Sequence, residues 1–106
     1  MRLLLNYGSA KGDMMIAKGY LRQLRNEINT TTLIADILQM EHRWRENRFR
    51  FLCPVCHEFN TAINPKTNLG RCFCCQRNFN PIDLVMITKR LAFLDAVNFL
   101  ENYLPD

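Results

Sequence analysis

No apolar run in this chain approaches the ~18 residues that a membrane-crossing helix needs. The opening Met1-Arg2-Leu3-Leu4-Leu5 stretch breaks at Asn6-Tyr7-Gly8, short of the roughly 7–15 apolar residues of an export signal. A cytoplasmic protein with reduced thiols and no membrane partner is therefore expected. Gly8-Ser9-Ala10-Lys11-Gly12 lacks the G-x-x-x-x-G-K-[ST] order of a phosphate loop, which argues against nucleotide binding there. Internal repeats and low-complexity tracts are also missing, which leaves one small globular unit.

Cysteine is what the chain has in quantity. Cys53-Pro54-Val55-Cys56 and Cys72-Phe73-Cys74-Cys75 carry two Cys-x-x-Cys pairs, with the 15 positions 57–71 between them. That spacing lies at the lower edge of a four-cysteine zinc pattern. Zinc takes four thiolates at about 2.3 Å, and a two-residue gap lets one tight turn aim two sulfurs at one ion. Two such turns close the coordination sphere, so the expectation is structural Zn²⁺ held by Cys53, Cys56, Cys72 and Cys75. Disulfides would need an oxidising compartment, a redox motif would explain one pair but not two, and iron is a further occupant of the same thiolates. Cys74 and His57 adjoin the ligands and could each replace a neighbour. The gap favours Cys74 as a spare thiol and His57 as a surface residue.

The 106 residues are 48% hydrophobic, enough for a thin core, so metal binding is expected to supply much of the local folding energy. The net charge is +4, with a pI near 9.0, and its distribution is uneven. Residues 41–50 hold four arginines among Trp44 and Phe49, and Lys66, Arg71 and Arg77 surround the cysteines. A polyanion is the partner such a distribution points to.

Apolar spacing predicts a helix over residues 13–27, within an N-terminal leader of residues 1–27, followed by one domain over residues 28–106. Asn29 and three threonines offer caps to a short helix carrying Leu33, Ile34, Ile37 and Leu38. From Arg43 the period changes to two: Arg48 and Arg50 alternate with Phe49 and Phe51, a half-buried strand. Glu46-Asn47 reads as its turn, giving a hairpin over residues 43–53. Residues 61–63 and 69–73 form a second hairpin around the turn at 64–68. Asn80 at the N-cap, Pro81 at N1 and Asp83 at N3 open a helix that runs to about Lys89-Arg90. A last helix over residues 93–103 puts Phe93, Ala96, Val97, Leu100 and Tyr103 on one face. The fold class expected is α+β: a zinc ribbon with a small antiparallel sheet flanked by helices.

In this order the parts resemble the N-terminal zinc-binding domain, of CHC2 type, of bacterial and phage DNA primases. The resemblance rests on Phe49-Arg50-Phe51-Leu52-Cys53-Pro54-Val55-Cys56 and on Ile63-Asn64-Pro65 through Arg71-Cys72-Phe73-Cys74-Cys75. Pro81-Ile82-Asp83-Leu84-Val85 and Phe93-Leu94-Asp95-Ala96-Val97-Asn98-Phe99-Leu100 complete it. It covers about residues 25–104. Three departures mark a divergent member, such as one from a mobile element or phage. Cys56 stands where that family has a histidine ligand, Cys74 replaces a glycine, and the loop after the first pair is about two residues shorter.

The resemblance implies a module that holds single-stranded DNA template while a catalytic primase subunit or replicative helicase acts beside it. Primer synthesis itself needs clustered carboxylates on Mg²⁺, and the acidic residues here are scattered, so neither catalysis nor a small-molecule substrate is expected. Arg48, Arg50 and Arg71 are the candidate phosphate contacts, extended by Lys66 and Arg77. Trp44 and Phe73 are the candidate stacking rings, with Phe49 and Phe51 facing the other way. The rival expectation is a zinc-ribbon adaptor that docks on a replication, helicase or mobile-element protein through Leu91, Phe93 or Tyr103. A redox sensor built on Cys74 is a third.

Overall fold

The computed structural model describes residues 17–105. Helix α1 (Lys18–Glu27) covers the later part of the helix expected over residues 13–27; residues 13–16 and the Gly8–Gly12 stretch lie outside the described residues. The helix buries Tyr20 and Leu24 against the two C-terminal helices, so this part of the leader contributes to the domain's core. Asn29 caps the next segment, its side-chain oxygen accepting the Thr32 N–H at 2.9 Å. A single turn, α2 (Thr30–Thr32), then widens into a π-helical turn, Leu33–Ile37, in which the Leu38 N–H reaches the Leu33 carbonyl at 2.7 Å. Leu33 and Ile34 are fully buried, while Ile37 and Leu38 are half-buried.

Five strands follow: β1 (His42–Arg45), β2 (Arg48–Phe51), β3 (Thr61–Asn64), β4 (Leu69–Cys72) and β5 (Asn78–Phe79). They form an open antiparallel sheet in sequence order. Glu46 and Asn47 join β1 to β2 with φ of 51° and 64°, the backbone of a two-residue type I′ hairpin, whose twist suits paired strands. Strand pleating then sorts the side chains. Phe49, Phe51, Thr61, Gly70, Cys72 and Phe79 face the core and are buried, whereas Arg43, Arg45, Arg48, Arg50, Arg71 and Asn78 face away.

Gly70 has a specific reason to lack a side chain. A Cβ there would lie 3.0 Å from Cζ of the fully buried Phe51 ring, so glycine lets that ring cross toward β4.

Helix α3 (Pro81–Lys89) opens as expected. The Asn80 side chain accepts the Asp83 N–H at 2.8 Å, and the Asp83 carboxylate accepts the Asn80 N–H at 3.0 Å, a reciprocal capping box. Arg90, at φ 55°, ends the helix and donates its N–H to the Met86 carbonyl. Helix α4 (Phe93–Glu101) buries Ala96, Val97 and Leu100. It stops two residues before Tyr103, whose N–H returns to the Leu100 carbonyl at 2.9 Å. Leu84, Val85, Val97, Leu100, Leu24, Leu33, Phe51 and Phe79 are all fully buried, each worth about 1.5–3 kcal/mol of transfer free energy. The result is the expected small α+β domain. Among the described residues no helix is long and apolar enough to cross a membrane.

Candidate metal centre and basic face

The two cysteine pairs sit on turns of the same construction. In the first, the Cys53 N–H donates to the Glu58 carbonyl at 3.0 Å; in the second, the Cys72 N–H donates to the Arg77 carbonyl at 2.9 Å. The Cys56 N–H points at Cys53 Sγ and the Cys75 N–H at Cys72 Sγ, both at 3.4 Å. Each turn closes with a left-handed residue, His57 at φ 63° and Gln76 at φ 62°. Histidine tolerates that conformation better than bulkier residues, and its exposed ring lies outside the sulfur cluster. Cys74 is exposed and also outside it.

The four sulfurs of Cys53, Cys56, Cys72 and Cys75 all lie within 4.8 Å of one another. Cys53 Sγ is 3.8 Å from Cys75 Sγ, and Cys56 Sγ is 3.5 Å from Cys72 Sγ. A tetrahedral zinc–thiolate centre requires sulfurs about 3.8 Å apart, so the donor set fits the ion in both chemistry and spacing. The spacing between the pairs does not impose this meeting; the sheet does, by holding Thr61 of β3 directly opposite both Phe51, two residues before Cys53, and Cys72.

The environment of each thiol differs. Desolvation pushes Cys72 up, but the N–H groups of Cys75 and Cys74, the Cys56 thiol and the Thr61 hydroxyl outweigh it and lower the group to about 6. Desolvation lifts Cys56 to about 12; the thiols of Cys72, Cys53 and Cys75 add to this against the opposing Glu58 N–H. Cys75 is also raised, by desolvation first and then by Cys72 and Cys53. Sulfurs this close repel one another as thiolates, and a dication compensates that repulsion.

The face of the sheet away from the core carries a row of side chains set by the register. Arg43, Arg50, Ala62, Arg71 and Asn78 lie directly opposite one another across all five strands. Arg45 and Arg48 pair beside them. Arg43, Arg45, Arg48 and Arg50, with Glu46 and Phe59, line a concavity of about 360 Å³, and the Arg43 guanidinium stacks 4.1 Å from the centre of the Phe59 ring. Arg71 donates to the Asn78 side chain at 3.1 Å. Phe73, 55% exposed, borders Ala62, Leu69 and Arg71 on this face.

The remaining candidates are elsewhere. Trp44 is 61% exposed but stands edge-on to Phe49, ring centres 5.1 Å apart, on the side opposite the arginine row. It meets Arg48, Arg50 and Phe73 only around a cleft of about 520 Å³. That cleft opens where β2 and β3 diverge, since only Arg50 and Phe51 of β2 pair with β3. Lys66 lies on the β3–β4 turn beside Asn26 and Glu27. Arg77 sits over the Phe79 ring at 5.8 Å, away from the row. Sequence reasoning overlooked Arg43, Arg45 and Phe59 as members of the face. The period-two alternation that singled out Arg48 and Arg50 could have found Arg43 and Arg45, but nothing local signals Phe59.

A family model described as CHC2 zinc finger matches residues 16–104, most of the chain. With the four converging cysteines, that match makes zinc the ion of this centre. No protein of curated function matches the chain.

Proposed function

The chain belongs to the CHC2 zinc-finger family, and on that premise we propose that it binds single-stranded DNA template during primer initiation, without catalytic chemistry of its own. The observation that carries this reading is the row of Arg43, Arg50 and Arg71 on one sheet face, with exposed Phe73 beside it. Ala62 leaves the middle of the row low, a shallow track between guanidiniums. Phosphates would follow the arginines while unpaired bases stack on Phe73 and on Phe59, at about 1–3 kcal/mol per stacked base. Zinc, when bound, ties the turn after β2 to the turn after β4 and so holds the arginines of those strands in fixed relation. A catalytic primase subunit or a replicative helicase is the proposed protein partner.

The test is binding of a fluorescent single-stranded oligonucleotide as salt is raised. Three phosphate contacts predict a log–log slope of roughly −2. Arg50→Ala and Arg71→Ala should each flatten the slope by about 0.7. Failure to bind at low salt would reject this function and favour the adaptor. Tyr103, 44% exposed against Phe99, is the adaptor's best surface, but Leu91 and Phe93 are half-buried.

A further inference from the structure

Strand β1 is an open edge of the sheet. The other edge, β5, is two residues long and leads into α3. The Leu52 N–H donates to the Glu41 carbonyl at 2.9 Å, which makes Glu41 and Leu52 a hydrogen-bonded pair. Antiparallel pairs alternate, so with the register of β1 on β2 the backbones of Arg43 and Arg45 turn inward. The N–H and C=O groups of His42 and Trp44 point outward, and none has a hydrogen-bond partner among the described residues. The side chains along this edge are sorted as strictly. Arg43 and Arg45 project from one face and Trp44 from the other, its ring held on Phe49 and 61% exposed.

We propose that β1 receives an extended acidic peptide as a sixth strand, with acidic residues opposite Arg43 and Arg45 and a large apolar residue opposite Trp44. Side chains directly opposite across two strands share a face, so the partner's alternation of acidic and apolar residues follows from that of β1. The main-chain ladder supplies attachment and the alternating side chains supply choice. A second copy of this chain is a poor occupant: β1 already faces Arg48 and Arg50 on its inner side, and centring it on a second β1 would add further arginines to that row, like charges that destabilise a sheet. A DNA strand is also a poor occupant. Its backbone offers acceptors but no donors, so the outward carbonyls of His42 and Trp44 would stay unmet. This inference does not depend on the DNA-binding reading.

Trp44 is the chain's single tryptophan and reports on the edge directly. The experiment titrates the zinc-loaded chain with a peptide of about eight residues that alternates glutamate with valine and phenylalanine. It follows Trp44 fluorescence and the amide resonances of His42 and Trp44. A saturable fluorescence change with shifts of those two amides is expected. Arg43→Glu combined with Arg45→Glu should weaken binding by about tenfold or more. That variant places glutamates opposite Arg50 and Arg48, where the parent has arginines, so the hairpin is retained. Blocking alternate peptide amides by N-methylation should abolish binding. The proposal is overturned if the alternating peptide does not bind. It is equally overturned if a peptide of the same composition with its acids and apolar residues in separate blocks binds as tightly, or if N-methylation leaves binding intact. The last two outcomes would reveal charge attraction without strand pairing.

Discussion

Thr30 and Asn68, 38 residues apart, are joined by two hydrogen bonds. The Thr30 N–H donates to the Asn68 side-chain oxygen at 3.1 Å, and the Thr30 hydroxyl donates to the Asn68 carbonyl at 2.7 Å. The Asn68 amide in turn donates to the carbonyls of Arg25 and Ile28, at 2.8 and 2.6 Å. One turn residue, at φ 62°, thereby satisfies the C-terminal end of α1 and the start of α2, and fastens both to the β3–β4 hairpin.

Replacing Asn68 with alanine should cost about 2–4 kcal/mol, since it strands the part-buried Ile28 carbonyl and Thr30 N–H and leaves a β-carbon in the left-handed region without a polar side chain to support it. Glycine should recover only the backbone part. Urea unfolding of the zinc-loaded chain measures both. Equal stability of the alanine variant and the parent would show that the lock is not what holds α1 to the sheet.

Gly70→Ala should destabilise by about 1–3 kcal/mol, because the added carbon presses on a ring with no room to retreat. The expected signature is a lower thermal midpoint with zinc content unchanged. An unaltered midpoint would mean that the Phe51 ring shifts freely.

Serine at Cys53, Cys56, Cys72 or Cys75 should each abolish stoichiometric zinc, while Cys74→Ser should leave it intact. Zinc in isolated finger peptides is worth about 10–16 kcal/mol, far more than a thin core can replace. A strong chelator should therefore remove the near-ultraviolet signal of the hairpin aromatics. Retention of metal by the Cys72→Ser chain, or its loss from the Cys74→Ser chain, would reassign the ligands.

Zinc affinity should rise steeply with pH. Cys72, lowered from 9.0 to about 6, is already a thiolate at pH 7, and the stability it contributes is lost as pH falls through about 6. Cys56, raised to about 12, works in the opposite direction: its contribution is present below 9.0 and is lost as pH rises through about 12. At pH 7 Cys56 and Cys75 both hold protons that the metal must displace. Log Kd should therefore improve by at least about two per pH unit between pH 6.5 and 8.5. Competition with a chelator of known affinity gives the slope; a flat profile would show that the thiols are deprotonated before the ion arrives.

Much of this was legible from short-range chemistry. The ligand set follows from two gaps of two residues. The start of α3 follows from Asn80, Pro81 and Asp83 standing where a helix leaves its first N–H groups unmet. The buried side of β2 follows from the alternation of Phe49 and Phe51 with arginines. The widened turn after Thr32 was not legible, because the apolar spacing of Leu33, Ile34, Ile37 and Leu38 suits an ordinary helical turn equally well.

What the residues determined by themselves are matters of neighbours along the chain: turns, caps, pleat and the two cysteine knuckles. Which strands lie side by side, and so which arginines share a row, was decided only when the core closed. Phe51, Thr61 and Cys72 had to meet on one face, and that burial set the register that lined up Arg43, Arg50 and Arg71 on the other. The same closure gave Asn68 its partners on α1 and α2, whereas Trp44 faces away from the row by the pleat of β1 alone. Contacts across tens of residues come from shared burial, and no local spacing encodes them.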